Sequence, residues 1–194
     1  VVYDQEKAMS GFWGEAYGEA VAYRGRGPKA AAELGAVAAL VRSVGGADFR
    51  IPHAGYSQPA GIPAGAVTAE DAELIAHLAT QGKVTMHLVL TSQNGPDVPS
   101  YNVVGDLKGS EHPEQVVIVS GHLDSWDLGT GAIDDAAGVA VAMETAKLVQ
   151  ELKLHPRRTI RVVAWMDEEN GGRGHDAYAA VHAADMPNHV AAIE

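Results

Sequence analysis

Val116-Val117-Ile118-Val119 is an unbroken apolar run with polar residues on both sides, and Gly121-His122-Leu123-Asp124-Ser125 follows it almost at once. A run without apolar/polar alternation reads as a strand covered on both faces. Downstream, Asp134 to Leu152 carries Val139, Met143, Ala146, Val149 and Leu152 at three- and four-residue steps, the pattern of a helix with one apolar face. After a turn at His155-Pro156, Thr159 to Met166 is a second apolar strand, and Tyr101 to Leu107 reads as a further strand ahead of the unit. Strand, helix, strand in this order closes right-handed, which sets the two strands parallel and their carboxyl ends on one edge. The expected class is α/β.

Three polar clusters fall on that edge. Gly121 to Ser125 follows the first strand, Asp134-Asp135 stands at the entrance of the crossover helix, and Asp167-Glu168-Glu169 follows the second strand. Open α/β sheets hold their ligands outside the carboxyl ends of the strands. His122 and the six carboxylates of Asp124, Asp134, Asp135, Asp167, Glu168 and Glu169 would raise one another's pKa values unless a cation neutralised them. With no cysteine in the chain, a metal site must use His, Asp and Glu, a donor set that suits catalytic Zn²⁺ with Mn²⁺ or Co²⁺ as substitutes. Each piece has a plainer reading. An acidic pair before a helix ordinarily serves the helix dipole, and an acidic pair after a strand is ordinarily a solvated turn. The joint placement at adjacent turns carries the metal reading. His53, His77, His87, His112, His155, His175, His182 and His189 are set aside as surface or packing residues.

The whole chain has 194 residues, 46% of them hydrophobic and 20% charged, which is a globular composition. No apolar run is long enough to span a membrane. A formal charge of −11 is the wrong sign for holding nucleic acid. Upstream of the βαβ unit, Pro28 to Glu33 reads as a short helix with proline in its first turn, and Ala36 to Val44 as a buried strand. Thr68 caps a helix that Gly82 ends, with Ile75, Leu78 and Ala79 on one face. Val84, Met86, Leu88 and Leu90 alternate with other residues as in a half-buried strand. Composition changes across Ser92 to Pro99, which places a boundary there. The opening Val1-Val2-Tyr3 reads as a strand, as does Ala191-Ala192-Ile193 at the close, and both ends read as cut from a longer polypeptide.

His122-Leu123-Asp124-Ser125-Trp126-Asp127, Gly131-Ala132-Ile133-Asp134-Asp135 with Gly138, Pro156-Arg157-Arg158-Thr159, and Glu168-Glu169-Asn170-Gly171-Gly172 with Gly174 and Tyr178 resemble the co-catalytic zinc exopeptidases. That family includes bacterial leucyl aminopeptidases, glutamate carboxypeptidase and the transferrin receptor ectodomain. Ser-Trp-Asp after His-Leu-Asp makes the plasma glutamate carboxypeptidase (carboxypeptidase Q) branch the nearest likeness. Ala22-Tyr23-Arg24, Ala38 to Ser43, Pro52-His53-Ala54-Gly55, Ile62-Pro63 and Val67 to Glu73 resemble the protease-associated domain inserted in that branch.

The resemblance implies a phosphorylase/hydrolase-like fold, part of a mixed sheet with helices on both faces, over residues 97–194, preceded by a protease-associated β/α insert over residues 1–96. It implies His122 as ligand of one zinc, Asp134 as the bridge between two zincs, Glu169 as ligand of the other, Glu168 as general base, and Asp124 orienting the ring of His122. The two zincs of a complete site need a further Asp and a distal His beyond Glu194, so the chain by itself is expected to be inactive. The implied substrate is a dipeptide or short peptide. The implied setting is secreted or periplasmic, with a homodimer or a companion chain supplying the rest of the domain as possible partners. A catalytically inactive homologue serving as a receptor module is the rival reading, and it predicts eroded ligands.

Overall fold

The computed structural model describes residues 13–44, 50–53, 55–127 and 129–194, with side chains from Tyr17 onward. The strand expected at Val1 to Tyr3 lies outside the described residues. The chain forms two units that divide between Gly95 and Pro96.

In the first unit, α1 (Trp13–Glu33) leads to β1 (Ala39–Arg42), β2 (Ala64–Val67) and α2 (Ala69–Gln81). β1 and β2 pair in parallel, Ala39 opposite Ala64 and Arg42 opposite Val67. The helix read from Pro28 onward is instead the last third of α1, and Pro28 sits in its interior. Gly14, Gly18, Gly25 and Gly27 disguise the upstream part, because glycine is a poor helix former. Proline removes one helical hydrogen bond, but Pro28 is fully buried, and that packing offsets the loss. The Thr68 cap forms as read, its hydroxyl accepting the Asp71 amide at 3.1 Å, and Gly82 ends the helix. Its apolar face is less covered than the pattern predicts, since Leu78 remains 42% exposed. The strand read over residues 84–90 does not form: the segment has no regular structure, and Met86, Val89 and Leu90 are exposed. Alternation makes a strand only when a neighbouring backbone offers a ladder, and among the described residues β1 and β2 pair only with each other.

In the second unit the order is β3 (Val103–Leu107), β4 (His112–His122), α3 (Ala136–Glu151), β5 (Arg158–Trp165), α4 (Arg173–Val181), a 3₁₀ turn (Met186–Asn188) and β6 (His189–Ile193). The strands lie in the order β3-β5-β4-β6. β4 pairs in parallel with β5 and β6, while β3 runs antiparallel to β5, so the sheet is mixed. His122 stands level with Trp165, which brings the ends of β4 and β5 together. On one face Val116, Ile118, Val163 and Trp165 pack with Tyr178 of α4 and with Met186. Each such buried side chain contributes roughly 1.5–3 kcal/mol. On the other face α3 lies so close that a Cβ on Gly121 would stand 2.5 Å from the Val139 nitrogen. Helices therefore cover both faces. The buried stripe of α3 centres on Ala142, with Val139, Ala146 and Val149 half-buried. Met143 and Leu152, read as part of that stripe, are 61% and 65% exposed, because a helix this close to a sheet meets it through small residues.

Candidate active site

His122 is the last residue of β4 and is 6% exposed. Its Nδ1 lies 2.9 Å from the main-chain carbonyl of Asp124. A carbonyl only accepts, so Nδ1 carries a hydrogen there and Nε2 is the nitrogen turned to the crevice. Nε2 stands 2.9 Å from Asp134 Oδ1 and 3.9 Å from Glu168 Oε2. Burial disfavours a charged ring. The Asp124 carbonyl, the Asp134 carboxylate and the charge of Glu168 outweigh it and raise the His122 pKa above that of an ordinary imidazole.

The turn after β5 brings in the acidic pair. Asp167 adopts a left-handed backbone (φ 68°), and Gly172 does so at the mouth of α4 (φ 74°), with the Gly172 amide donating to the Asp167 carbonyl at 2.6 Å. The carboxylate of Asp124 receives the amides of Glu168 and Glu169, one on each oxygen, both at 3.0 Å. Its Oδ1 is 3.8 Å from His122 Nδ1, so the carbonyl of Asp124 holds the ring and the carboxylate holds the acidic turn. Ligand atoms of His122, Glu168 and Glu169 all lie within 4.8 Å of one another. Burial raises the pKa of Glu169; a hydrogen bond from Trp126 opposes the rise, and the charges of Asp134 and Glu168 add to it.

The loop before α3 supplies Asp134, whose side chain is 76% exposed, and Asp135, joined to it by a cis peptide bond. Gly131 makes the preceding turn at φ 65°, where a Cβ would press on Ser125 at 2.9 Å. Asp135 caps α3 through Oδ1, which accepts the Gly138 amide at 3.0 Å. Its Oδ2 accepts the His122 amide, also at 3.0 Å, and so fastens the helix entrance to the end of β4.

The structure thus gathers His122, Asp124, Asp134, Glu168 and Glu169 at one edge. Sequence reading missed the second bond of Asp135, the bond from Trp126 to Glu169, and Asn102. Asn102, just ahead of β3, accepts the Met166 amide at 3.0 Å and donates to the Gly174 carbonyl at 2.8 Å, bracing the end of β5 against the start of α4. Trp126 stands inside the Ser-Trp-Asp motif and could have been found there. Asn102 carries no local signal.

An imidazole and carboxylates converging on the carboxyl edge of a mixed α/β sheet define a candidate metal-dependent hydrolase site, and residues 102–194 match the model of peptidase family M28. The second unit of the chain belongs to that family. Carboxypeptidase Q of Xenopus laevis is 45% identical over 177 residues, which cover 89% of this chain and 38% of that protein. A peptidase M28 precursor from Shewanella amazonensis superposes with a TM-score of 0.81 at 39% identity, covering 92% of this chain and 42% of that one. A zinc aminopeptidase from Bacillus subtilis superposes with a TM-score of 0.53 at 26% identity, covering 81% of this chain and 37% of that one. The chain therefore spans about two-fifths of the length of these relatives. Among the described residues no helix is long and apolar enough to cross a membrane.

Proposed function

We propose that this chain carries part of the active site of a zinc-dependent exopeptidase that hydrolyses a terminal peptide bond of dipeptides or short peptides. The observation that carries the reading is the convergence of His122 Nε2 with the carboxylates of Asp134, Glu168 and Glu169. The donor set fits zinc: one imidazole turned to the crevice by its other nitrogen, several carboxylates, no thiolate. Burial raises the pKa of Glu169, and the charges of Asp134 and Glu168 add to the rise, which a cation seated there would offset. The carboxypeptidase Q relative and the zinc aminopeptidase neighbour support the same reading.

His122 and Glu169 would each hold one of two zincs, and Asp134 would bridge them. Zinc held there supplies Lewis acidity, which makes water a nucleophile near neutral pH and polarises a carbonyl. Glu168 would take the proton from the attacking water and deliver it to the leaving amine. Asp124 positions this base by fixing the Glu168 amide. Residues 1–96 are read as the protease-associated insert.

The test is made in the active protein that carries this chain. Glu168→Gln should lower turnover by ~10²- to 10⁴-fold, the contribution of general-base catalysis, with zinc content unchanged. Loss of zinc from that variant would make Glu168 a ligand and sink the assignment. Asp134→Ala should lose both zincs together, and full retention of one would point to a mononuclear site.

A further inference from the structure

Away from the β4 edge, the stretch leading from α4 into β6 gathers His182, Asp185 and His189. One nitrogen from each imidazole and one carboxylate oxygen of Asp185 lie within 4.8 Å of one another. His182 Nδ1 stands 3.1 Å from Asp185 Oδ2, and the two imidazole centroids are 5.7 Å apart. Both histidines are half-buried, while the side chain of Asp185 is 48% exposed. Their surroundings fix the rings. The ring of Tyr178 lies against that of His182 with centroids 4.2 Å apart, and its hydroxyl is 2.8 Å from His189 Nε2. That hydroxyl accepts from Arg161 Nη1 at 2.7 Å, and Arg161 is itself clamped by both carboxylate oxygens of Asp106. His189 Nδ1 meets the Asp185 carbonyl at 3.2 Å.

We propose that His182, Asp185 and His189 form a second divalent-metal site, separate from the His122 edge, that takes a borderline transition ion such as Zn²⁺, Co²⁺ or Ni²⁺. Two imidazoles with one carboxylate select such ions over Ca²⁺ or Mg²⁺, which prefer all-oxygen shells. Tetrahedral zinc with bonds of 2.0–2.1 Å to nitrogen sets its ligand atoms about 3.4 Å apart. The His182–Asp185 pair already meets that spacing, and His189, whose ligand atom lies within 4.8 Å of theirs, has at most ~1.4 Å to close. On binding, either nitrogen of His189 gives up a single hydrogen bond, to Tyr178 or to the Asp185 carbonyl. For His189 the hydrogen-bonded partner that orients a metal-binding imidazole in known sites is therefore in place, while His182 is held by the ring of Tyr178. Asp185, on the solvent side, leaves a position open to water. His182 follows the last turn of α4 and His189 opens β6, so the ion would tie the end of the helix to the strand beside β4.

The test is a Co²⁺ titration of the isotope-labelled 194-residue chain, followed residue by residue through paramagnetic effects on backbone amide resonances. Residues 182–190 should shift or broaden as a separate group from residues 122–135 and 167–170, and prior addition of Zn²⁺ should abolish the effect. Asp185→Asn, a surface change, and His189→Gln, which keeps a hydrogen-bonding side chain, should each remove the response at 182–190 while leaving the remaining spectrum in place. No response at 182–190 in excess Co²⁺, or a response unchanged in both variants, overturns the site. The outcome at the His122 edge is read from different resonances and does not enter.

Discussion

Removing the carboxylate of Asp124 should unfasten the acidic turn without releasing the imidazole. The side chain is 14% exposed and gives one oxygen to the amide of Glu168 and the other to the amide of Glu169. A hydrogen bond to a charged group contributes roughly 1.5–3 kcal/mol, and a buried donor left unpaired costs a further ~1–3 kcal/mol. Glu168 is partly exposed, so water can replace part of the loss at its amide. Asp124→Ala should therefore cost roughly 2–4 kcal/mol. Asp124→Asn, which keeps one acceptor and turns an NH₂ toward the other amide, should cost roughly half of that. Urea unfolding followed by tryptophan emission reads the effect, since Trp165 is 5% exposed beside the turn. Both variants keep the main-chain carbonyl that holds His122 Nδ1, so the His122 pKa should stay raised when followed by NMR. An Ala variant within ~0.5 kcal/mol of wild type would show that the carboxylate does not hold the turn. A His122 pKa falling to the ordinary imidazole range would show that the carboxylate, not the carbonyl, governs the ring.

Gly121→Ala should cost ~1–3 kcal/mol or more by thermal unfolding, because the added Cβ meets main-chain atoms of α3 that cannot rotate away; an unchanged Tm would refute the close helix–sheet approach. The Asp106 pKa is lowered chiefly by its hydrogen bonds to Arg161, so its contribution to stability is present above the unfolded carboxylate value and is lost as pH falls through the lower folded value. The stability gap between wild type and Asp106→Asn should accordingly be open at neutral pH and close below about pH 4, as carboxylates protonate; a gap independent of pH would mean that the pairing does not matter. Thr68→Ala should destabilise the first unit by ~0.5–2 kcal/mol through loss of the cap on Asp71, measured by amide exchange in α2.

The second unit was far more legible than the first. Val116 to Val119 and Val162 to Met166 are apolar on both faces, and only a strand in the middle of a covered sheet makes that pattern favourable, so both were readable without knowledge of their partners. The alternation over residues 84–90 is equally regular, yet it speaks of one buried face and depends on a neighbour that the local sequence does not specify. α1 was hidden for the opposite reason: four glycines and Pro28 argue locally against helix, and the burial of Pro28 is a tertiary fact. At the site, chain turns identified which residues meet, because all three turns leave the same sheet edge. Which atom of Asp124 faces which partner is set by the path of the loop from Leu123 to Trp126, and residue types do not encode it.

The hydrogen-bond pattern also changes the electrostatic argument for a cation. Counted from sequence, six carboxylates crowd one crevice, but they are not equivalent. Asp124 and Asp135 each use both oxygens on main-chain amides, so their charge is met by backbone dipoles that belong to the fold. Asp167 faces the guanidinium of Arg173 at 3.8 Å. The carboxylates left turned toward His122 are Asp134, Glu168 and Glu169, and the rise in the Glu169 pKa follows partly from the charges of the other two. Two structural carboxylates therefore hold the turns, and three others face one imidazole with a deficit of positive charge. A divalent ion seated among these three would oppose both the burial and the repulsion that raise Glu169, so its binding should release a proton wherever Glu169 or His122 is protonated beforehand.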